Sequence, residues 1–209
     1  ALRDVWKDTP LKWDDGSDPC SGGWVGITCT NSRVTSISLS SMGFLPVSDG
    51  TTPGLDMLIN TKHFHFGDNQ LDGDIPFRLF NSKMTLIHLL FENNRLTGPI
   101  PSTLGLVTSL EVVRLDRNLL TGDVPSNLNN LTKVMELHLS INQLTGPVPN
   151  LTGMNSLNYV KMRYTNLAGE LPAALFSIPH LQNIDLSNNR IDGSLNISSN
   201  PSPQLELVW

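Results

Sequence analysis

Five groups able to carry positive charge, Arg114, Arg117, His138, Lys161 and Arg163, gather in one stretch, with Tyr159 and Tyr164 beside the last two. Such a set could hold an anion, because arginine grips a carboxylate through two parallel hydrogen bonds and tyrosine can stack or donate one more. A separate set, His63, His65 and His88, has types and spacing that could titrate together or share a metal. No carboxylate or cysteine completes that set, so it reads as a pH-responsive surface, and no metal and no cofactor is assigned. Catalysis would need a base and a nucleophile held together in a concave, water-poor site. Neither Gly-x-Ser-x-Gly, His-Glu-x-x-His nor a phosphate-binding loop occurs, and His138 with Ser140 is a pairing that chance supplies, so no enzyme is read in the chain. A formal net charge of -5 argues against nucleic acid as a partner.

What must position these residues is a repeat. Gly73, Gly98, Gly122, Gly146, Gly169 and Gly193 follow one another at 25, 24, 24, 23 and 24 residues, each inside one phrase: NQLDGDIP, NRLTGPIP, NLLTGDVP, NQLTGPVP, TNLAGELP, NRIDGSLN. Four residues earlier stands Asn69, Asn94, Asn118, Asn142, Thr165 or Asn189. An amide at a tight corner bonds backbone groups that the turn leaves unpaired, and stacked repeats make a polar ladder. Upstream, Phe64/Phe66, Leu89/Phe91, Val113/Leu115, Leu137/Leu139, Val160/Met162 and Ile184/Leu186 have the two-residue spacing of short, half-buried strands. No repeat buries its apolar side alone, so the units must stack into a curved solenoid with one parallel strand each. Outward positions then align in columns, His65, Leu90, Arg114, His138, Lys161, Asp185 in the central one.

The phrase Asn-x-Leu-x-Gly-x-Ile-Pro resembles the plant extracellular leucine-rich repeat, over nearly the whole chain. The head, WDDGSDPCSGGWVGITC, is similar to the N-terminal cap of such ectodomains, in which Trp13, Cys20, Trp24 and Cys29 would seal the first repeat. Cys20 and Cys29 are the chain's two cysteines, and a disulfide between them fits an oxidising compartment. Asn130, Asn150 and Asn196 each open an Asn-x-Ser/Thr sequon, a glycan site in a secreted chain. GLDMLINTKHFHFGDNQLDGDIP, MTLIHLLFENN and NLNNLTKVMELHLSINQLTGPVPNLT resemble ectodomains of subfamily VIII of the plant leucine-rich-repeat receptor-like kinases, one branch of which is associated with extracellular hydrogen peroxide and quinones. That resemblance implies a full-length receptor with one transmembrane helix and a cytoplasmic serine/threonine kinase. No run of about 18 apolar residues occurs in this chain, so the membrane would be reached only through that helix.

The expected fold class is therefore α/β: a right-handed leucine-rich-repeat solenoid with a cap over residues 1–33 and repeats over 34–209. Leu45-Pro46 arrives three residues early after Phe44, and relatives carry more repeats there, so an omitted stretch is expected between residues 44 and 45. Resemblance alone places a second between Val160 and Lys161. QLELVW starts a seventh strand and stops, which reads as a truncated C-terminus. The expected function is ligand recognition or co-receptor pairing at the extracellular face of the plasma membrane, in redox signalling as the resemblance implies. An unknown, anionic partner would meet Arg114, Arg117, His138, Tyr159, Lys161, Arg163 and Tyr164. The competing expectation is a free-standing extracellular inhibitor of microbial enzymes, built from the same repeat.

Overall fold

A computed structural model of the chain describes residues 13, 17–42, 58–197 and 200–208. One nine-stranded sheet runs its length, formed by β1 (Ile27–Thr30), β2 (Arg33–Ser38), β3 (His63–His65), β4 (His88–Leu90), β5 (Val112–Arg114), β6 (Glu136–His138), β7 (Tyr159–Lys161), β8 (Asn183–Asp185) and β9 (Leu207–Val208). The strands lie in sequence order; β1 pairs antiparallel with β2 and every later pair is parallel. This is the expected parallel-stranded solenoid, and Leu207–Val208 supplies the further strand expected near its end. Its helical part among the described residues is slight: five-residue 3-10 helices at Ser102–Leu106, Ser126–Asn130 and Ala173–Ser177 and a three-residue one at Phe77–Leu79.

Each of those turns starts behind a proline, Pro76, Pro101, Pro125 or Pro172, at φ between -63° and -67°. The ring fixes that angle and lacks the N–H that a helix start would leave unpaired. In the 23-residue repeat, Asn150 Oδ1 instead accepts hydrogen bonds from the Thr152 N–H and hydroxyl, an Asx turn in place of the 3-10 turn. Paired short strands such as Thr121–Asp123 with Gln143–Thr145 run behind the main sheet. Gly122 and Gly146 have positive φ, so an L side chain there would be strained, and a Cβ on Gly146 would also displace the Asp123 carboxylate, 2.4 Å away.

Between the two layers the apolar pairs close a continuous core. Leu89, Val113, Leu137, Val160 and Ile184 are fully buried, and Phe66 meets Phe91 edge-on with ring centroids 5.4 Å apart. The asparagine ladder holds the corner of each repeat. Asn142 Nδ2 donates to Leu115 O, Leu139 O and Ser140 O while its Oδ1 accepts from the Leu120 N–H. One side chain thus bonds two successive repeats.

At the head, Cys20 and Cys29 are disulfide-bonded and the Trp13 and Trp24 rings stack 4.8 Å apart. Trp13 Nε1 donates to Val25 O at 3.0 Å and Trp24 Nε1 to Ser17 Oγ at 2.7 Å. The cap thereby closes the apolar end at Ile37. The expected omission between residues 44 and 45 lies outside the described residues. Val160 and Lys161 stand in one strand, in register with β6 and β8.

Candidate functional site

Side chains alternate along a strand, so the residues flanking each buried strand centre face outward. The register sets His65, Leu90, Arg114, His138, Lys161 and Asp185 in one row across β3 to β8, and His63, His88, Val112, Glu136, Tyr159 and Asn183 in the row beside it. These are the columns expected from the repeat.

Arg114 Nη2 donates to Glu136 Oε2 at 2.7 Å, from β5 to β6. That bond raises the guanidinium's pKa further. Burial pushes the Glu136 carboxyl up, but the Arg114 hydrogen bond and charge, with His138 and Lys161, outweigh it and hold the group below its ordinary value. His138 Nε2 is 3.8 Å from Glu136 Oε2. Burial first, then the charges of Lys161 and Arg114, keep the imidazole below its usual range. Lys161, next in the row, forms no ion pair among the described residues. Arg114 Nε is enclosed with no hydrogen-bond partner among them, yet 40% of that side chain is exposed.

A second group adjoins this row. Arg163 Nε lies 3.7 Å from Asp185 Oδ2, and its guanidinium is 5.9 Å from the centre of the Tyr164 ring. The Tyr159 hydroxyl donates to Gln182 Oε1 at 2.8 Å. Arg117 and Tyr164 occupy the turn position after the strands, at φ 54° and 51°, with Ile141 at φ 56° in the turn between. The structure therefore joins Arg114 and His138 through Glu136, sets Lys161 beside His138 in the row and Arg163 with Tyr164 next to it, and leaves Arg117 and Tyr159 at the margins.

One outward residue that the sequence reading left out of the candidate site is Glu92. A Cβ on Gly67 would lie 2.6 Å from Glu92 Oε1, so the glycine is what lets this carboxylate lie across the preceding repeat. Its Oε2 is enclosed without a hydrogen-bond partner among the described residues. Burial lifts its pKa, a backbone hydrogen bond and Arg114 oppose the rise, and Asp116 and Asp68 add to it. The signal was available: Gly67 breaks a column otherwise filled by side chains.

Towards the cap, His63, His65 and His88 share the outer face. His65 Nε2 is 3.4 Å from His88 Nδ1, and one nitrogen from each ring lies within 4.8 Å of the others. Burial, then the charge of His88 and then His63, lowers His65 to about 4; burial, His88 and Lys62 lower His63. The sequon asparagines Asn130, Asn150 and Asn196 are all exposed and lie off the main sheet. No helix among the described residues is long and apolar enough to cross a membrane.

Comparison with known proteins gives the same repeat. The Leucine Rich Repeat family model matches residues 85–106 and 180–205. A probable leucine-rich repeat receptor-like protein kinase of Arabidopsis thaliana is 52% identical over 186 residues, 77% of this chain and 20% of that protein. The chain thus spans about one fifth of that relative's length. The crystal structure of a Pollen Receptor Kinase 3 has TM-score 0.78 at 30% identity, covering 95% of this chain and 97% of that one. The HAESA leucine-rich-repeat ectodomain of Arabidopsis, solved with an N-terminal extended IDA peptide hormone ligand, has TM-score 0.57 at 25% identity over 84% of this chain and 38% of that one. With its repeat register and its capped parallel sheet, the chain is a leucine-rich-repeat protein, similar in sequence and fold to parts of plant receptor-like kinases.

Proposed function

We propose that this chain is the extracellular recognition domain of a plant receptor kinase and that it takes an anionic ligand or co-receptor segment over Arg114, His138, Lys161 and Arg163. The observation that carries the reading is the row itself. Lys161, with no ion pair among the described residues, stands near two arginines that acidic partners hold in place, Arg114 by Glu136 and Arg163 by Asp185. An incoming carboxylate would find donors already ordered, so less side-chain entropy is lost on binding. Tyr164 and Tyr159 border the row with exposed aromatic surface, and Arg117 extends the positive edge. The peptide hormone in the HAESA complex supports a peptide as the ligand class.

The finer assignment, to subfamily VIII and to peroxide or quinone signalling, rests on the sequence resemblance, as do the transmembrane helix and the kinase. In this chain Cys20 and Cys29 are bonded to each other in the cap, so we assign them to scaffold and place any redox chemistry elsewhere in the receptor. Two measurements test the reading. Peptides with free C-terminal carboxylates should bind and their amidated forms should bind less, by calorimetry on the secreted chain. Mass spectrometry after peroxide treatment should leave the Cys20–Cys29 pair unchanged; binding that ignores amidation, or a cap disulfide that opens, rejects the corresponding part.

A further inference from the structure

The three histidines near the cap form the other built cluster on the outer face. His63 stands opposite His88 in the β3–β4 register, and His65 follows two residues later on the same side. The closest nitrogens are His65 Nε2 and His88 Nδ1, 3.4 Å apart. Two nitrogens each about 2.0–2.1 Å from a tetrahedral zinc are themselves about 3.3–3.4 Å apart, so that pair already has the spacing of a shared ion. His63 is within 4.8 Å of both, and its Nδ1 is enclosed with no hydrogen-bond partner among the described residues. The Ser38 hydroxyl lies 3.4 Å from His65 Nδ1. With Nδ1–H donating to that hydroxyl, Nε2 turns its lone pair towards the other rings, the arrangement by which an outer partner fixes a ligating tautomer.

We propose that His63, His65 and His88 form a three-imidazole site for a divalent transition ion, zinc or copper, with one coordination position left open on the outer face of the sheet. The want of a fourth protein ligand, which in sequence argues against a metal, is what an open site has. Neutral imidazoles bind such ions. The ion's open position would face the same side as the Arg114 row, within reach of a bound peptide's carboxylate or of water.

The test uses the secreted chain without a histidine tag, stripped with chelator and titrated with zinc chloride and separately with copper sulfate at neutral pH. Expected are saturation at one ion per chain, a higher melting temperature with the ion, and a weakening of about ten-fold or more in His65→Gln and in His88→Gln, since loss of even an outer partner costs a metal site that much. His180→Gln, a distant exposed histidine, should bind as the parent does. Absence of saturable heat and of thermal stabilisation with both ions in the parent chain overturns the proposal. So does a folded His65→Gln/His88→Gln double variant that binds with parental affinity, circular dichroism being the check on folding.

Discussion

At the scale of single residues, the ladder shows how much one amide does. Asn118 and Asn142 donate to two repeats and accept the N–H of Leu96 and Leu120, whereas the Thr165 hydroxyl has a single proton to offer to Met162 O or Asn189 Oδ1 and is too short to span the corner. Thr165→Asn should therefore stabilise the chain by about 1 kcal/mol, one net buried hydrogen bond, read as a shifted denaturant midpoint at constant slope. An unchanged midpoint would show that Thr165 already satisfies its corner. The row of charges gives a pH dependence. His138 has a folded pKa below its unfolded one, by burial and then by Lys161 and Arg114, so the unfolded chain binds the proton first and stability falls as pH drops below about 6.5. Glu136 is also depressed, and its contribution, present above its ordinary value, is lost at lower pH. Melting temperature should thus fall on acidification, and His138→Gln should reduce the fall in its upper part. Identical slopes in parent and variant would remove His138 as the cause.

At the scale of elements, the cap and the limbs have separable roles. The Cys20–Cys29 bond closes a loop of sequence separation 9, for which the chain-entropy model gives about 2–3 kcal/mol. Cys20→Ser/Cys29→Ser should lower the melting temperature and secretion while leaving ligand affinity in the folded fraction unchanged; a double variant that melts with the parent refutes a structural role. Asn130 ends the Ser126–Asn130 turn and Asn150 opens the Asx turn, both exposed and off the main sheet. Both should carry glycan when made in a eukaryotic secretory host, and an intact mass with neither occupied counts against this placement. The strands and ladder were legible from the sequence because each repeat states the same pattern of apolar pair, asparagine and glycine, so errors at one repeat are corrected by the next. The limbs were less so: Pro149 promises the same 3-10 turn as Pro125, but the 23-residue repeat is one residue shorter and Asn150 takes over the turn through its own side chain.

At the scale of the whole molecule, the sheet turns local alternation into one continuous face, and its chemistry depends on partners that lie one strand away. Those cross-strand partners are why the site was only half legible. Spacing in the sequence aligned Arg114, His138 and Lys161 correctly, yet Glu136 tying down Arg114, Asp185 beside Arg163, and Glu92 lying over Gly67 each depend on where long side chains come to rest. The same partners sharpen the prediction about binding. In the proposed binding mode a ligand carboxylate at Lys161 would compete with Glu136 and Asp185 for the neighbouring arginines. Arg163→Ala should then weaken an acidic peptide by about 1.5–3 kcal/mol, the range for hydrogen bonds to charged groups, and Arg114→Ala should do so in proportion to the donors it frees. Salt should weaken the parent and leave the double variant nearly insensitive, since a Debye length of about 8–10 Å at ordinary ionic strength reaches this open face. Calorimetry across a salt series checks both. Two single variants with parental affinity, and a salt slope that survives their combination, would move the binding surface away from this row.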